Sequence, residues 1–198
     1  MADANNLHRY LHVPVEYTPV FPKLKNPIEQ WDQFPIAKHE VNDQIHSWLN
    51  SIGLEFVMGA VFYLPPGHII KPHTDRPFPK GNTYTKINWV YNGDVYNNIE
   101  PAEHNMMEWF DIPVDAEPFL AKVPTGREYY DYSKIECTKI FEAKMHRPSL
   151  VNIGAIHGTH NLHKTTWYFC VMVKEIGKYD LINWSEAQEI FKDYIATE

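Results

Sequence analysis

The sequence predicts a mainly β protein: an antiparallel double-sheet barrel of the jelly-roll type, with a helix toward each end. Three observations carry this. Aromatic residues make up 14% of the chain, and many Trp and Tyr lie in runs that read as strands. The 15 prolines are spread out and punctuate short segments, which suits many short strands better than long helices. About eight strand-like segments lie between an early helical pattern and a late one.

In chain order, residues 12–35 are rich in Pro and aromatics and are expected to wrap the surface as extended chain. Residues 42–52 form the first helix: Ile45, Trp48, Leu49 and Ile52 fall at i, i+3, i+4 and i+7, and Gly53 ends the run. An apolar strand over 54–64 stops at Pro65-Pro66-Gly67, and 68–75 reads as the next strand. Residues 85–91 alternate apolar and polar before an Asn92-Gly93 turn signal. Strands are expected at 106–112, 135–143, 149–156 and 165–174, and a terminal helix at 185–194, where Ser185 and Gln188 fit a capping box. Residues 92–105 and 113–134 read as long loops, the usual material for the rim or lid of a binding site. The whole is expected to be one domain, 1–198, with its barrel core at about 54–174.

Composition narrows the function classes. Net charge is -7, and the densest basic pairs are Lys71 with Arg76 and Lys144 with Arg147. That argues against the phosphate-neutralising surface that nucleic-acid binding needs. Cys137 and Cys170 alone make no disulfide framework. Residues 1–9 are polar with no apolar segment behind them, and no run approaches the roughly 18 apolar residues of a membrane span. The expectation is a soluble protein of a reducing, cytoplasmic setting.

The sharpest motif is Pro72-His73-Thr74-Asp75. In a strand, residues i and i+2 share a face, so His-x-Asp sets an imidazole beside a carboxylate, ready to share a metal. A second imidazole must come from a later strand, and the apolar run from Val151 to Ile156 ends in His157-Gly158. Two His and one carboxylate leave coordination positions open, which is what non-heme Fe(II) oxygen chemistry requires. A structural zinc site would instead close with a fourth protein ligand, often Cys, and neither Cys lies near these residues in sequence. His160 rivals His157 as third ligand, and a zinc site on His157, His160 and His163 is a further alternative.

With these residues assembled, the chain resembles the 2-oxoglutarate and Fe(II)-dependent dioxygenases, whose core is a double-stranded β-helix. Tyr63-Leu64-Pro65-Pro66-Gly67 leading to His73-Thr74-Asp75 looks like the prolyl-hydroxylase-type run. Pro148-Ser149-Leu150 followed by His157-Gly158-Thr159-His160-Asn161 is similar to the distal half of the prolyl-hydroxylase-like and aspartyl/asparaginyl-hydroxylase-like branches. The likeness spans residues 57–173. It implies iron on His73, Asp75 and His157, a 2-oxoglutarate cosubstrate oxidised by O2 to succinate and carbon dioxide, and hydroxylation of a small molecule or a peptide side chain.

One departure stands out. Many members of that family hold the far carboxylate of 2-oxoglutarate with an Arg after the distal His. Counting from His157 that position is Trp167, from His160 it is Cys170, and residues 165–173 contain no basic side chain. The resemblance offers Lys86 as a substitute, since some branches place a Lys on the strand after His-x-Asp, and alternation puts Asn88 on the same face. It also offers Tyr63 as a hydrogen-bond donor, with Lys164 and Arg76 as further cations. The missing Arg keeps two rivals open: a cupin-like metal protein that does not use 2-oxoglutarate (another oxygenase or an isomerase), and a non-catalytic binding barrel.

Overall fold

The computed structural model describes residues 4–22, 32–75, 84–94, 97–102, 105–122, 128–160 and 164–197. Strands β1 (His8–Tyr10) and β2 (Asp32–Ile36) precede helix α1 (Asp43–Ser51). There follow β3 (Leu54–Leu64), β4 (Ile69–Thr74), β5 (Thr85–Asp94), β6 (Asn97–Pro101), β7 (Met106–Asp111), β8 (Phe119–Lys122) and β9 (Glu128–Asp131). The chain ends with β10 (Thr138–Lys144), β11 (Ser149–Asn152), β12 (His157–His160), β13 (Thr166–Glu175) and helix α2 (Trp184–Ile190).

These strands form two antiparallel sheets of a mainly β, jelly-roll-like fold. The larger sheet runs β1-β11-β5-β13-β3-β2, with β6 also on β5; the smaller runs β10-β7-β12-β4-β9-β8. Two apolar layers flank the larger sheet. On one side Ile45, Trp48 and Leu49 of α1 and Trp184, Ala187 and Phe191 of α2 join a cluster with Trp89, Trp167 and Phe169. On the other, Val90, Tyr168, Cys170 and Met172 cluster with Met107, Trp109 and Ala143 of the smaller sheet. Burial on both faces is why β13 reads as a continuous apolar run rather than an alternation. Its odd residues meet the helices and its even ones meet the second sheet.

The local sequence explains the ends of these elements. Leu54 follows Gly53, whose φ of 79° lies in the left-handed region open to glycine, so α1 stops and β3 begins there. Pro35 is tolerated in β2 because that strand lies at a sheet edge. Asn105 Nδ2 donates to Asn92 Oδ1 (3.1 Å) and to Thr166 Oγ1 (2.7 Å), a buried side-chain network that anchors both ends of the β5–β7 connection.

Several sequence expectations need correcting. The two segments expected as loops are partly strand: β6 pairs with β5, and β8 and β9 form a hairpin whose second strand extends the smaller sheet from β4. The short strands β8 and β9 show no hydrophobic period, because none of their side chains is fully buried. The N-terminal region is more than a wrap. Leu11 and Tyr17 are core residues, and β1 and β2 edge the larger sheet. The strand expected over 149–156 ends at Asn152, where the Asn152 side chain accepts from Gly154 N (3.1 Å) in an Asx turn, and β12 begins afresh at His157. The cap of α2 is Asn183 with Glu186 rather than Ser185 with Gln188: Asn183 Oδ1 accepts from Glu186 N (3.0 Å) and Glu186 Oε2 from Asn183 N (2.9 Å). No helix among the described residues is long and apolar enough to cross a membrane.

Replacing Asn183 with Ala removes that reciprocal cap and should lower stability by about 1 kcal/mol, read as a shift in urea midpoint at unchanged slope.

Candidate metal centre

Three potential ligands converge between the sheets. One atom each from His73, Asp75 and His157 lies within 4.8 Å of the others. Two come from the run through β4 and the third from the first residue of β12, which pairs directly opposite His73. The imidazole rings lie 4.5 Å apart, centroid to centroid.

The backbone achieves this by one irregular step. Between the pairs Ile70↔Thr159 and His73↔His157, β4 advances three residues while β12 advances two. The extra residue is a bulge, and it falls where Pro72 has no N–H to give to the ladder. In a regular strand Ile70 and His73 would face opposite ways; across the bulge both line one cavity. Gly158 makes the close approach possible, since a Cβ there would sit 2.7 Å from the Ile70 carbonyl oxygen.

Both imidazoles are held in the same tautomer. His73 Nδ1 donates to Lys71 O (2.9 Å), and His157 Nδ1 donates to Ala155 O (2.9 Å). A donor at Nδ1 leaves a lone pair on Nε2, the arrangement in which a histidine serves a metal. Each Nε2 faces the same carboxylate oxygen: Asp75 Oδ1 is 3.4 Å from His73 Nε2 and 4.0 Å from His157 Nε2. The other oxygen, Oδ2, accepts from Lys86 Nζ. Burial alone would push the Asp75 carboxyl up; the Lys86 ammonium leads the influences that outweigh it and hold it well below the usual carboxylate range. Burial, with His73 alongside, lowers His157 to about 4, so it is neutral near pH 7. Two imidazoles presenting Nε2 beside a carboxylate are a donor set suited to a divalent transition metal with positions left open.

The cavity beside this trio is also lined by Phe62, Met107, Ile153, Asn88, Thr159 and Tyr168. The cavity offers about 40 Å³ to the centre of a water-sized sphere, room for a few waters. Asn88 Oδ1, Thr159 Oγ1 and Tyr168 Oη are buried without a hydrogen-bond partner.

Of the other sequence candidates, Lys86 and Asn88 line the cavity, with Lys86 engaged by Asp75 and its ammonium 5.4 Å from the Phe62 ring centroid. Tyr63 does not: it belongs to the helix-side core, 4.8 Å from the Trp167 ring, and its neighbour Phe62 faces the cavity instead. Trp167 likewise faces the helix-side layer and fills none of the cavity. His160 lies an odd number of residues from His157 on β12, on the opposite face. Lys164 pairs with Glu100 at the surface. Arg76, His163 and Asn161 lie outside the described residues. Sequence reasoning missed Thr159 and Tyr168. Thr159 carried a usable signal, two residues past His157; Tyr168 did not, because both faces of β13 are apolar.

Gly158→Ala would force β12 away from β4, at a cost of roughly 1–3 kcal/mol in stability. It should also weaken Co(II) binding, followed by visible absorption, because His157 is carried off with the strand. In metal-stripped protein the sign of the pH effect follows from His157. Unfolded, it takes a proton near pH 6.5; folded, it resists until about 4. Stability is thus full above pH 6.5 and falls as the pH drops toward 4, by roughly 3 kcal/mol from this residue. Below that, Asp75 acts in the same direction as the pH falls past the ordinary carboxylate value. Urea titrations at pH 7 and 4.5 measure the loss; equal stability at both would contradict a buried neutral His157.

No protein-family model matches the sequence, and no curated protein matches it. Among solved structures the chain is similar to AviO1 from Streptomyces viridochromogenes Tue57, at 12% identity and a TM-score of 0.35, over 71% of this chain and 61% of that one. It is similar to a Pseudomonas putida prolyl-4-hydroxylase at 13% identity and a TM-score of 0.35, over 79% and 77% of the two chains. It is also similar to vicilin from hazelnut, Corylus avellana, at 12% identity and a TM-score of 0.35, over 86% and 42%. The chain thus spans less than two thirds of AviO1 and less than half of the vicilin. The chemistry of the site rests on its own geometry.

Proposed function

We propose that this protein is an Fe(II)-dependent oxygenase that uses 2-oxoglutarate and O2 to hydroxylate a small molecule or a peptide side chain. The observation that carries the reading is the convergence of His73 Nε2, His157 Nε2 and Asp75 Oδ1, with both imidazoles fixed through Nδ1. The ligand set fits ferrous iron: two imidazole nitrogens and one carboxylate oxygen, beside a cavity where further ligands can reach the metal. Unpartnered polar atoms in that cavity fit a polar cosubstrate.

When bound, the iron supplies the oxygen-activating redox chemistry, which no side chain here can provide. The chain's own residues bind and orient. Lys71 O and Ala155 O hold the ring planes, and Lys86 holds Asp75 by its outer oxygen so that the inner one faces the imidazoles. Phe62, Ile70, Met107 and Ile153 line the cavity with apolar surface and keep bulk water from the reacting atoms. A single domain with its barrel core at about 54–174, in a cytoplasmic setting, accompanies this reading.

A second reading, a cupin-like metal protein that does not use 2-oxoglutarate, is favoured by one observation: the sole cation lining the cavity among the described residues, Lys86, is already paired with Asp75.

Anaerobic addition of Fe(II) and 2-oxoglutarate should produce the weak visible charge-transfer band of a chelated 2-oxo acid, and His73→Ala should lose both the band and stoichiometric metal. Iron binding without the band would favour the second reading. Unchanged metal content in His73→Ala would refute the site altogether.

A further inference from the structure

One flank of the fold, where the two sheets meet, holds a polar cluster that the metal centre does not use. There β1 ends the larger sheet and β10 ends the smaller, and residues 145–148 cross from β10 to β11, the neighbour of β1. Tyr10 ties the two edges together: its hydroxyl donates to Lys144 O (2.7 Å) at the end of β10. Around the Tyr10 ring stand His8 at 4.5 Å and His146 at 5.1 Å, both edge-on, with Arg147 Cζ 6.0 Å from its centroid. His8 in turn lies 5.8 Å from the Trp109 ring.

Three nitrogens of this cluster are buried without a hydrogen-bond partner: His8 Nε2, His146 Nδ1 and Trp109 Nε1. Such atoms are uncommon, because each costs the desolvation of its group. The indole can only donate, and an imidazole nitrogen donates whenever it carries the hydrogen. What these groups share is the lack of an acceptor. Charge points the same way. The chain as a whole is acidic, with a net charge of -7. Lys122, Lys139, Lys164, Lys174, Lys178 and Lys192 are paired with carboxylates, whereas Arg9 and Arg147 are paired with none among the described residues. His8 registers this local excess: burial lowers it to about 4, and His146 and Arg9 push in the same direction. An anion seated here would reverse that repulsion.

We propose that His8, His146 and Arg147 form, around Tyr10, a binding site for one small tetrahedral oxyanion, the phosphate group of inorganic phosphate or of a phosphate monoester. Arg147 supplies a charged fork that matches phosphate oxygens, and the imidazoles supply single donors. Trp109 closes the inner end. A single anion needs no extended basic surface, so the site is compatible with the acidic balance of the chain. In the smaller sheet β7 lies between β10 and β12, and Trp109 pairs in register with His157. The oxyanion site is therefore separated from the candidate metal centre by β7, and it does not rest on the 2-oxoglutarate reading.

The test titrates inorganic phosphate into the metal-stripped chain at pH 7 and low salt, by calorimetry, with histidine ring-proton NMR alongside. One saturable site is expected, with the ring signals of His8 and His146 displaced. Arg147 is exposed, so its loss spares the fold. Arg147→Gln should weaken binding about tenfold, as expected for a hydrogen bond between charged groups, and His146→Gln should weaken it by a smaller factor. Lys139→Gln, which removes a surface cation elsewhere on β10, should change nothing. His73→Ala should also leave binding intact, which separates this site from the metal centre. Glycerol 3-phosphate, run in parallel, distinguishes the sources: tighter binding than phosphate assigns the site to a phosphorylated molecule, and equal or weaker binding assigns it to the free anion. No saturable binding of either probe would overturn the proposal. So would undiminished binding in both Arg147→Gln and His146→Gln, or binding abolished in His73→Ala.

Discussion

The site depends on one irregular step in the pairing of β4 with β12. A regular antiparallel ladder would turn either Ile70 or His73 out of the cavity. The bulge around Lys71 and Pro72 changes the parity of β4, so an apolar wall residue and a candidate ligand share a face, and His73 meets His157 across the ladder. Gly158 belongs to the same device: without a side chain, it lets β12 come close enough for two imidazoles to face one carboxylate. The bulge is a designed irregularity of the kind that gathers at functional sites.

Electrostatics completes the arrangement. Gathering two imidazoles and a carboxylate in a partly enclosed space carries a desolvation cost, which the fold offsets by placing the Lys86 ammonium on the outer oxygen of Asp75. The carboxylate stays ionised, His157 stays neutral, and each imidazole hydrogen is directed to a backbone carbonyl. Charge and tautomer are thereby arranged in advance of any ligand. The same pairing engages Lys86, a cation that lines the cavity.

The two-layer burial of the larger sheet governs which residues reach that cavity. Trp167 and Tyr168 are adjacent and both buried, yet one belongs to the helix-side core and the other to the cavity wall. The same division separates Tyr63 from Phe62 on β3. A strand covered on both faces carries no hydrophobic alternation to mark its inner side, so the inward residue of each pair was illegible before the sheets were assembled.

The sequence by itself determined the β class, the first helix with its Ile45-Trp48-Leu49 stripe, and the potential of His73 and Asp75 to share a face, because these follow from local periodicity and composition. It left His157 and His160 as rivals and placed Tyr63 and Trp167 at a site they do not line. Only the tertiary structure decided these, through strand parity: a bulge in β4, a fresh start of β12 at His157 after the Asn152 turn, and a second covered face on β3 and β13. Parity across a sheet is set by pairing between distant strands, and local residue patterns carry no record of it.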